Sequence, residues 1–339
     1  MKILKVSLIA ILAILAISVA GVFGYLEFGI PAGDFDGECT ALELDGSAED
    51  IHIDRERGLA YLSLIDRLTL AQGGDAQGTI GLVDLNSPVI SATSALISAP
   101  DHFRPHGISI YIDENGQRFM VVLNHPVNRG SEPEMVELFK EQSPGRYIHV
   151  KTYSDPLFES PNDLVAVGPE QFYIANDGGD GAKLVYFDGQ QATVVANDIN
   201  SGGGINASAD YSELYVAETG GKALRVLSRN SDDGSVTTLN QIPLGTSPDN
   251  VDVAEDGSLW IGAHSDLLGL VMHFIIGSDA PSQVIRVELD DDDNGQIEEI
   301  YLNRGEEISA SSVGATYGNK LLIGSITSRK ILVCEMAGG

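Results

Sequence analysis

The chain has 339 residues, with 49 Asp and Glu against 20 Lys and Arg and a formal net charge of −29. Such a surplus of carboxylates argues against nucleic acid and anionic lipid surfaces as partners, because phosphate binding depends on Lys and Arg. It keeps a protein soluble at high ionic strength and attracts cations. By length alone two domains are allowed, but an internal repeat overrides that expectation.

Residues 1–25 open with Lys2 and Lys5 and then run uncharged from Val6 to Tyr25. A run of about twenty such residues can span a bilayer and is long for a signal-peptide core. Ser18-Val19-Ala20 offers small residues for cleavage. The segment reads as an N-terminal hydrophobic helix, either a signal-anchor or a cleaved signal peptide, and both export residues 26–339. Glu38–Leu44 reads as a closing strand. Beyond residue 25 no strong helical periodicity appears; Glu132–Gln142 comes nearest and fits an edge strand equally well.

From residue 49 a unit recurs in which a short alternating strand is followed by a turn and a second, apolar strand. Glu49-Asp50-Ile51-His52-Ile53 precedes Leu59–Ser63, with Thr79–Asp84 as a further strand, and His106–Ile110 precedes Phe119–His125. Asn162–Val167 precedes Gln171–Asn176, and Gly204-Ile205-Asn206 precedes Glu213–Glu218. Asp249-Asn250 opens the unit before Ser258–His264, and Ser311-Ser312 opens the one before Lys320–Ser325. Strand-rich repeats of about 40–50 residues mark β-propeller blades. The expected fold is all-β: a six-bladed propeller over residues 26–339, closed by its N- and C-terminal strands and preceded by the hydrophobic helix. Asp290–Gly295 looks like a calcium loop, but the EF-hand spacing needs Glu where Tyr301 stands. The segment reads as a solvated hairpin turn.

If each alternating strand is the innermost of its blade, the opening residues converge at one end of the channel. These are Glu49, His106, Asn162, Asn206, Asn250 and Ser311 or Ser312, with Asp50, Asp163 and Asp249 adjacent. Oxygen-rich sets of Asp, Glu and Asn suit a hard cation, Ca²⁺ rather than Zn²⁺. The plainer alternative is that Asn and Asp merely open turns. Neither a Gly-x-Ser-x-Gly elbow nor a His-Glu-x-x-His helix is present. Cys39 and Cys334, the two cysteines, lie at opposite ends of the folded region. A bond between them would staple the ring and requires an oxidising compartment; two free buried thiols are the alternative.

Pro105–Ser109, Leu123-Asn124-His125-Pro126, Asn162–Glu170, Gly204–Asn206, Asp249-Asn250, Leu259–Gly262 and Lys320–Gly324 together resemble the serum paraoxonase/arylesterase family of calcium-dependent six-bladed propeller lactonases. That resemblance implies a catalytic calcium on Glu49, Asn162, Asn206, Asp249 and Asn250. It also implies a second, structural calcium on Asp50, Asp163 and the backbone carbonyl of Ile108. It further implies a histidine dyad of His106 and His125 and a disulfide between Cys39 and Cys334. A calcium-polarised carbonyl attacked by water, with His106 as base and His125 tuning it, is the expected mechanism.

Three departures from the family pattern stand out. Asp177 is followed only by Gly178–Gly181, where the animal enzymes carry a helix-forming insertion over the site. Ala263 replaces a free cysteine beside His264. Ser312 and Ile326 are the best matches to the pocket wall. The expected protein is an exported hydrolase of small lactones and aryl esters that meets a membrane only through its N-terminal segment. A sugar lactonase of the gluconolactonase-like propellers and a non-catalytic calcium-stabilised binding propeller are the alternatives.

Overall fold

The computed structural model describes residue 33 and residues 35–337, so the segment read from residues 1–25 lies outside the described residues. The chain forms strands β1 (Gly37–Glu43), β2 (Ser47–Asp54), β3 (Leu59–Ile65), β4 (Thr79–Asp84) and β5 (Ala92–Ser94). Next come β6 (Pro105–Ile112), β7 (Arg118–Asn124), β8 (Met135–Ser143), β9 (Arg146–Tyr153), β10 (Pro161–Ala166), β11 (Phe172–Asn176), β12 (Asp180–Phe187) and β13 (Ala192–Asn200). Then follow β14 (Gly202–Ala207), β15 (Glu213–Glu218), β16 (Ala223–Arg229), β17 (Val236–Pro243), β18 (Ser247–Val253) and β19 (Leu259–His264). The last are β20 (Ser282–Leu289), β21 (Gly295–Asn303), β22 (Ser311–Tyr317), β23 (Lys320–Ser325) and β24 (Lys330–Met336). They pair antiparallel into six four-stranded sheets, five of consecutive strands and one ordered β1-β24-β23-β22. This is the six-bladed propeller.

The first strand of each blade faces the channel, and these innermost strands touch in a closed circle, β2 to β6, β10, β14, β18, β22 and back to β2. The second strands are apolar nearly throughout because both faces of each blade are buried between neighbours. Between the last blade and the first, for example, Val313, Ala315, Leu322 and Ile331 pack against Ala48, Ile51 and Leu62. Six such seams make the core.

Ring closure rests on β1, which pairs along its whole length with β24 and sets Cys39 opposite Cys334. The two cysteines are disulfide-bonded, so the free-thiol alternative falls away. The bond closes a loop of 295 residues, and a cross-link over so long a loop contributes about 2–4 kcal/mol by restricting the unfolded chain. A Cys39→Ser/Cys334→Ser variant is therefore expected to melt earlier while keeping its specific activity as long as it stays folded. Matching melting curves for variant and wild type would remove the staple from the account.

Two short helices accompany the strands. A short α1 covers Arg67–Ala71, and α2 covers Leu267–Ile276 between β19 and β20. Asp266 caps α2 by accepting from the amide of Leu268 at 3.0 Å, and Gly277 ends it with φ 72. Leu267, Leu268, Val271, Phe274, Ile275 and Ile276 are all exposed. The helix lacks a polar face, so no 3.6-residue alternation marks it in the sequence. The ambiguous stretch near residue 132 resolves as strand β8.

Candidate active site

All six innermost strands carry a β-bulge near the same end. The breaks in pairing fall between Ala48 and Ile51, Pro105 and Ile108, Pro161 and Asp163, Gly202 and Ile205, Pro248 and Val251, and Ser311 and Val313. The residues skipped are Glu49-Asp50, His106-Gly107, Asn162, Gly203-Gly204, Asp249-Asn250 and Ser312. A bulge leaves its residue outside the ladder and re-aims the side chain, and this is how five blades turn their opening residues into the channel mouth. The fourth blade departs from expectation. Its bulge is Gly203-Gly204, where a Cβ on Gly204 would collide with the backbone at Asn250. Asn206 lies in regular pairing with Tyr215.

Glu49 is buried at the centre of this mouth. Asn250 Nδ2 donates to Glu49 Oε1 at 2.9 Å and to its carbonyl at 3.0 Å, and Ser312 Oγ donates to the same carbonyl at 2.6 Å. Glu49 Oε2, Asn162 Oδ1 and Asn250 Oδ1 are buried and accept no hydrogen bond. Buried acceptors without a donor are costly, and an ion is one standard resolution. Three acceptor oxygens with one shared need fit a hard, oxygen-seeking cation such as Ca²⁺. Asp249 Oδ2 instead meets His264 Nε2 at 3.0 Å. Asn206 Oδ1 accepts from the amide of Ala207 at 2.9 Å while its Nδ2 donates to the Val251 carbonyl at 2.8 Å. Among the described residues no three His, Cys, Asp or Glu side chains form a metal cluster by themselves. The convergence depends on the Asn amides.

Charge in the mouth is poorly balanced. Burial, reinforced by Asp249, pushes the Glu49 carboxyl up to about 8. Burial likewise raises Asp50 to about 7. The nearest buried cation is Arg67, whose Nη2 is 3.9 Å from Glu49 Oε2 and donates to the Pro105 carbonyl at 2.8 Å. With folded-state values above those of the unfolded chain, the folded protein holds more protons, and its stability falls as pH rises through that range. Chelator-treated protein is therefore expected to lose stability between about pH 4 and pH 8, and added calcium should suppress that loss. Denaturation midpoints across this window, with and without calcium, check it.

Asp50 and Asp163 stand in a different relation to the fold. Asp50 accepts from the amides of Ile51 and Ile108, both at 2.8 Å. Asp163 accepts from Leu164 at 2.7 Å and Ile205 at 2.8 Å. Ile108 thus meets Asp50 through its N–H. Gly107 lies against Asp163 so closely that a Cβ there would collide with the carboxylate. Each carboxylate ties one blade to the next, and the other junctions are tied in the same manner. Ala166 N donates to Ser109 Oγ, Asn206 Nδ2 to the Val251 carbonyl, Thr316 N to Asp252 Oδ2, and Ser312 Oγ to the Glu49 carbonyl. Side-chain-to-backbone bonds therefore run unbroken round the ring, a pattern the sequence does not display.

The rings of His106 and His125 lie 4.7 Å apart at 58°. His106 Nε2 is 3.5 Å from Glu49 Oε2. His125 Nδ1 donates to Glu134 Oε2 at 2.7 Å, and Arg129 Nε donates to Glu134 Oε1 at 2.9 Å. Burial, with His125 adding to it, holds the His106 imidazole well below its usual value. Burial also lowers His125, opposed by its bond to Glu134. In both rings burial therefore favours the neutral imidazole over its charged form. In the sequence Glu134 is only one carboxylate in a polar loop of an acidic chain, with no signal to set it apart.

A cleft of about 410 Å³ opens on His106, Asn162, Arg129, Glu134 and Asp177. Asp177 is exposed on its rim and accepts from Ser201 Oγ at 2.5 Å. The Gly178–Gly181 segment, which runs into β12 at Asp180, adds no helix over it. Ser312 is fully buried behind Glu49, and Ile326, half-buried, donates its amide to the Ala310 carbonyl at 3.0 Å. A larger cavity of about 690 Å³, lined by Arg55, Trp260, Arg286 and Tyr317 among others, sits near the opposite ends of β18 and β22 and touches none of the mouth residues.

Residues 41–336 match the family model described as Arylesterase. The chain is 32% identical over 326 residues to serum paraoxonase/lactonase 3 of Rattus norvegicus, covering 88% of each chain. To serum paraoxonase/arylesterase 1 of Homo sapiens it is 32% identical over 317 residues, covering 86% of this chain and 87% of the relative. Among solved structures, a luciferin-regenerating enzyme superposes with a TM-score of 0.54 at 13% identity, over 89% of this chain and 96% of its own. A putative gluconolactonase gives 0.52 at 15% identity, over 91% and 94%. At such identities these two likenesses show the propeller fold alone. The family match and the relatives, taken with the channel mouth, establish that this chain belongs to the arylesterase family of hydrolases.

Proposed function

We propose that this protein is a calcium-dependent hydrolase of lactones and aryl esters, acting at the channel mouth. The observation that carries the reading is the set of buried, partnerless oxygens of Glu49, Asn162 and Asn250 beside His106. Those three residues, with Asp249 alongside, would hold the catalytic ion. A calcium bound there supplies Lewis-acid polarisation of an acyl carbonyl and stabilisation of the oxyanion. Asn250 and Ser312, by their bonds to Glu49, fix that carboxylate in place. His106, neutral and within the cleft, takes the proton of the attacking water, and His125 stands against its ring.

The names of the relatives, paraoxonase, arylesterase and lactonase, point to the same substrate range. Asp50 and Asp163 fit a second, structural calcium by composition, yet their oxygens already accept backbone amides, so such an ion would share them with the sutures between blades. The Cys39–Cys334 bond supports export, because a disulfide needs an oxidising compartment.

The test is a panel of γ- and δ-lactones, phenyl acetate and a phosphotriester, assayed with calcium and with chelator. Calcium-dependent turnover of lactones is expected; turnover unaffected by chelation would overturn the metal-centred reading. With only the Gly178–Gly181 connection beside Asp177, the site is open to bulky groups, so turnover should fall little from short to long acyl-chain lactones. A sharp size cut-off would count against that openness.

A further inference from the structure

We propose that Glu134 is a positioning residue of the histidine pair, extending it to a Glu134–His125–His106 relay; this rests on the hydrolase reading above. The carboxylate is buried, and both of its oxygens are engaged, one by His125 Nδ1 at 2.7 Å and the other by Arg129 Nε at 2.9 Å. An ionised carboxylate only accepts, so the proton of this bond resides on Nδ1. That fixes one tautomer of His125 and leaves Nε2 as a bare acceptor. Nε2 is buried and has no hydrogen-bond partner, and its ring stands 4.7 Å from that of His106. With no partner of its own and a second imidazole packed against the same ring, Nε2 is free to receive a proton. Without Glu134 the other tautomer becomes accessible, with an N–H where the acceptor is needed.

Arg129 completes the device from outside. Its guanidinium is half-exposed in the cleft and holds Glu134 from the solvent side, so the carboxylate cannot swing away from His125. In the relay one nitrogen of His106 takes up a proton from water as its other nitrogen releases one to His125 Nε2. The proton then returns by the same path to the departing alkoxide, and both rings end neutral. The charge present meanwhile on His125 is the charge Glu134 faces.

A comparable pair elsewhere shows what the position adds. Glu137 also meets a histidine, His149, at 2.8 Å, but it is shared with Asn124 and Thr152 on the strands that flank its own. His149 does not line the cleft that His106 lines. The first pair opens on the site and the second braces a sheet.

The experiment uses the full chain with ¹⁵N-labelled histidine, together with Glu134→Gln and Glu134→Asp. A low-field Nδ1–H resonance assigned to His125 is expected in the wild type, displaced upfield in Glu134→Gln and kept in Glu134→Asp. In lactone turnover Glu134→Gln should lose about 10–100-fold in kcat with KM little changed, as for removal of a carboxylate behind a working histidine. Glu134→Asp should recover part of that loss. Absence of the low-field resonance in the wild type overturns the proposal even if neither variant folds, and so does wild-type kcat in Glu134→Gln. Should the wild type turn over no lactone or ester, the hydrolase reading fails, while the resonance still decides whether Glu134 sets the tautomer.

Discussion

Replacing His106 with glutamine is expected to lower lactone turnover by about 10²–10⁴-fold, the scale of general acid–base catalysis. Glutamine keeps a polar group beside Glu49 Oε2, which lies 3.5 Å from the imidazole Nε2, but offers no ring nitrogen to act as a base. Calcium content and melting temperature should therefore stay close to those of the wild type. The three quantities are measured side by side on one preparation. Turnover at the wild-type rate would exclude His106 as the base, and a loss of calcium would mean that the imidazole helps to hold the ion.

The largest effect on stability is expected from Asp163→Ala. Its carboxylate accepts from Leu164 and from Ile205, so truncation leaves two buried amides of adjacent blades without an acceptor. An unsatisfied buried donor costs about 1–3 kcal/mol, and two of them consume a large part of the 5–15 kcal/mol by which domains are usually stable. Asp163→Asn keeps an acceptor oxygen and should lose distinctly less. Denaturant midpoints for the two variants measure the difference. If Asp163→Ala melts with the wild type, the seam between those blades is held by packing alone. Calcium stoichiometry in Asp163→Asn separately tests the second ion.

The propeller was legible because a blade strand buried on both faces must be apolar and must alternate with turns; Phe172–Asn176 and Leu259–His264 look alike for that reason. Cys39 and Cys334 were legible because a ring closed by its terminal strands brings its chain ends together. The bulges were not. An extra residue disturbs alternation for one position only, and Gly203-Gly204 gives no sign that it, and not Asn206, occupies the bulge of its blade. Helix α2 escaped because a short apolar run without a polar face cannot be told from a buried strand by period. Its caps, Asp266 and Gly277, are the sequence signals that mark its ends. Glu134 carries no local signature, since its meaning comes from a loop folding back nine residues onto His125.

The closing strand has a kinetic meaning as well. Strand β1 finds its partner β24 across almost the whole chain, so that pairing cannot form until the intervening blades have brought the ends together, and contacts so distant in sequence are slow to make. The order also runs in reverse. Each blade is sealed on both sides by its neighbours, so separating any seam means opening the circle somewhere, and at the last blade the covalent bond between β1 and β24 stands in the way. Interactions made late in folding slow unfolding more than they speed folding. Persistence of the folded protein is then set by how rarely the ring opens rather than by how favourable the closed ring is at equilibrium.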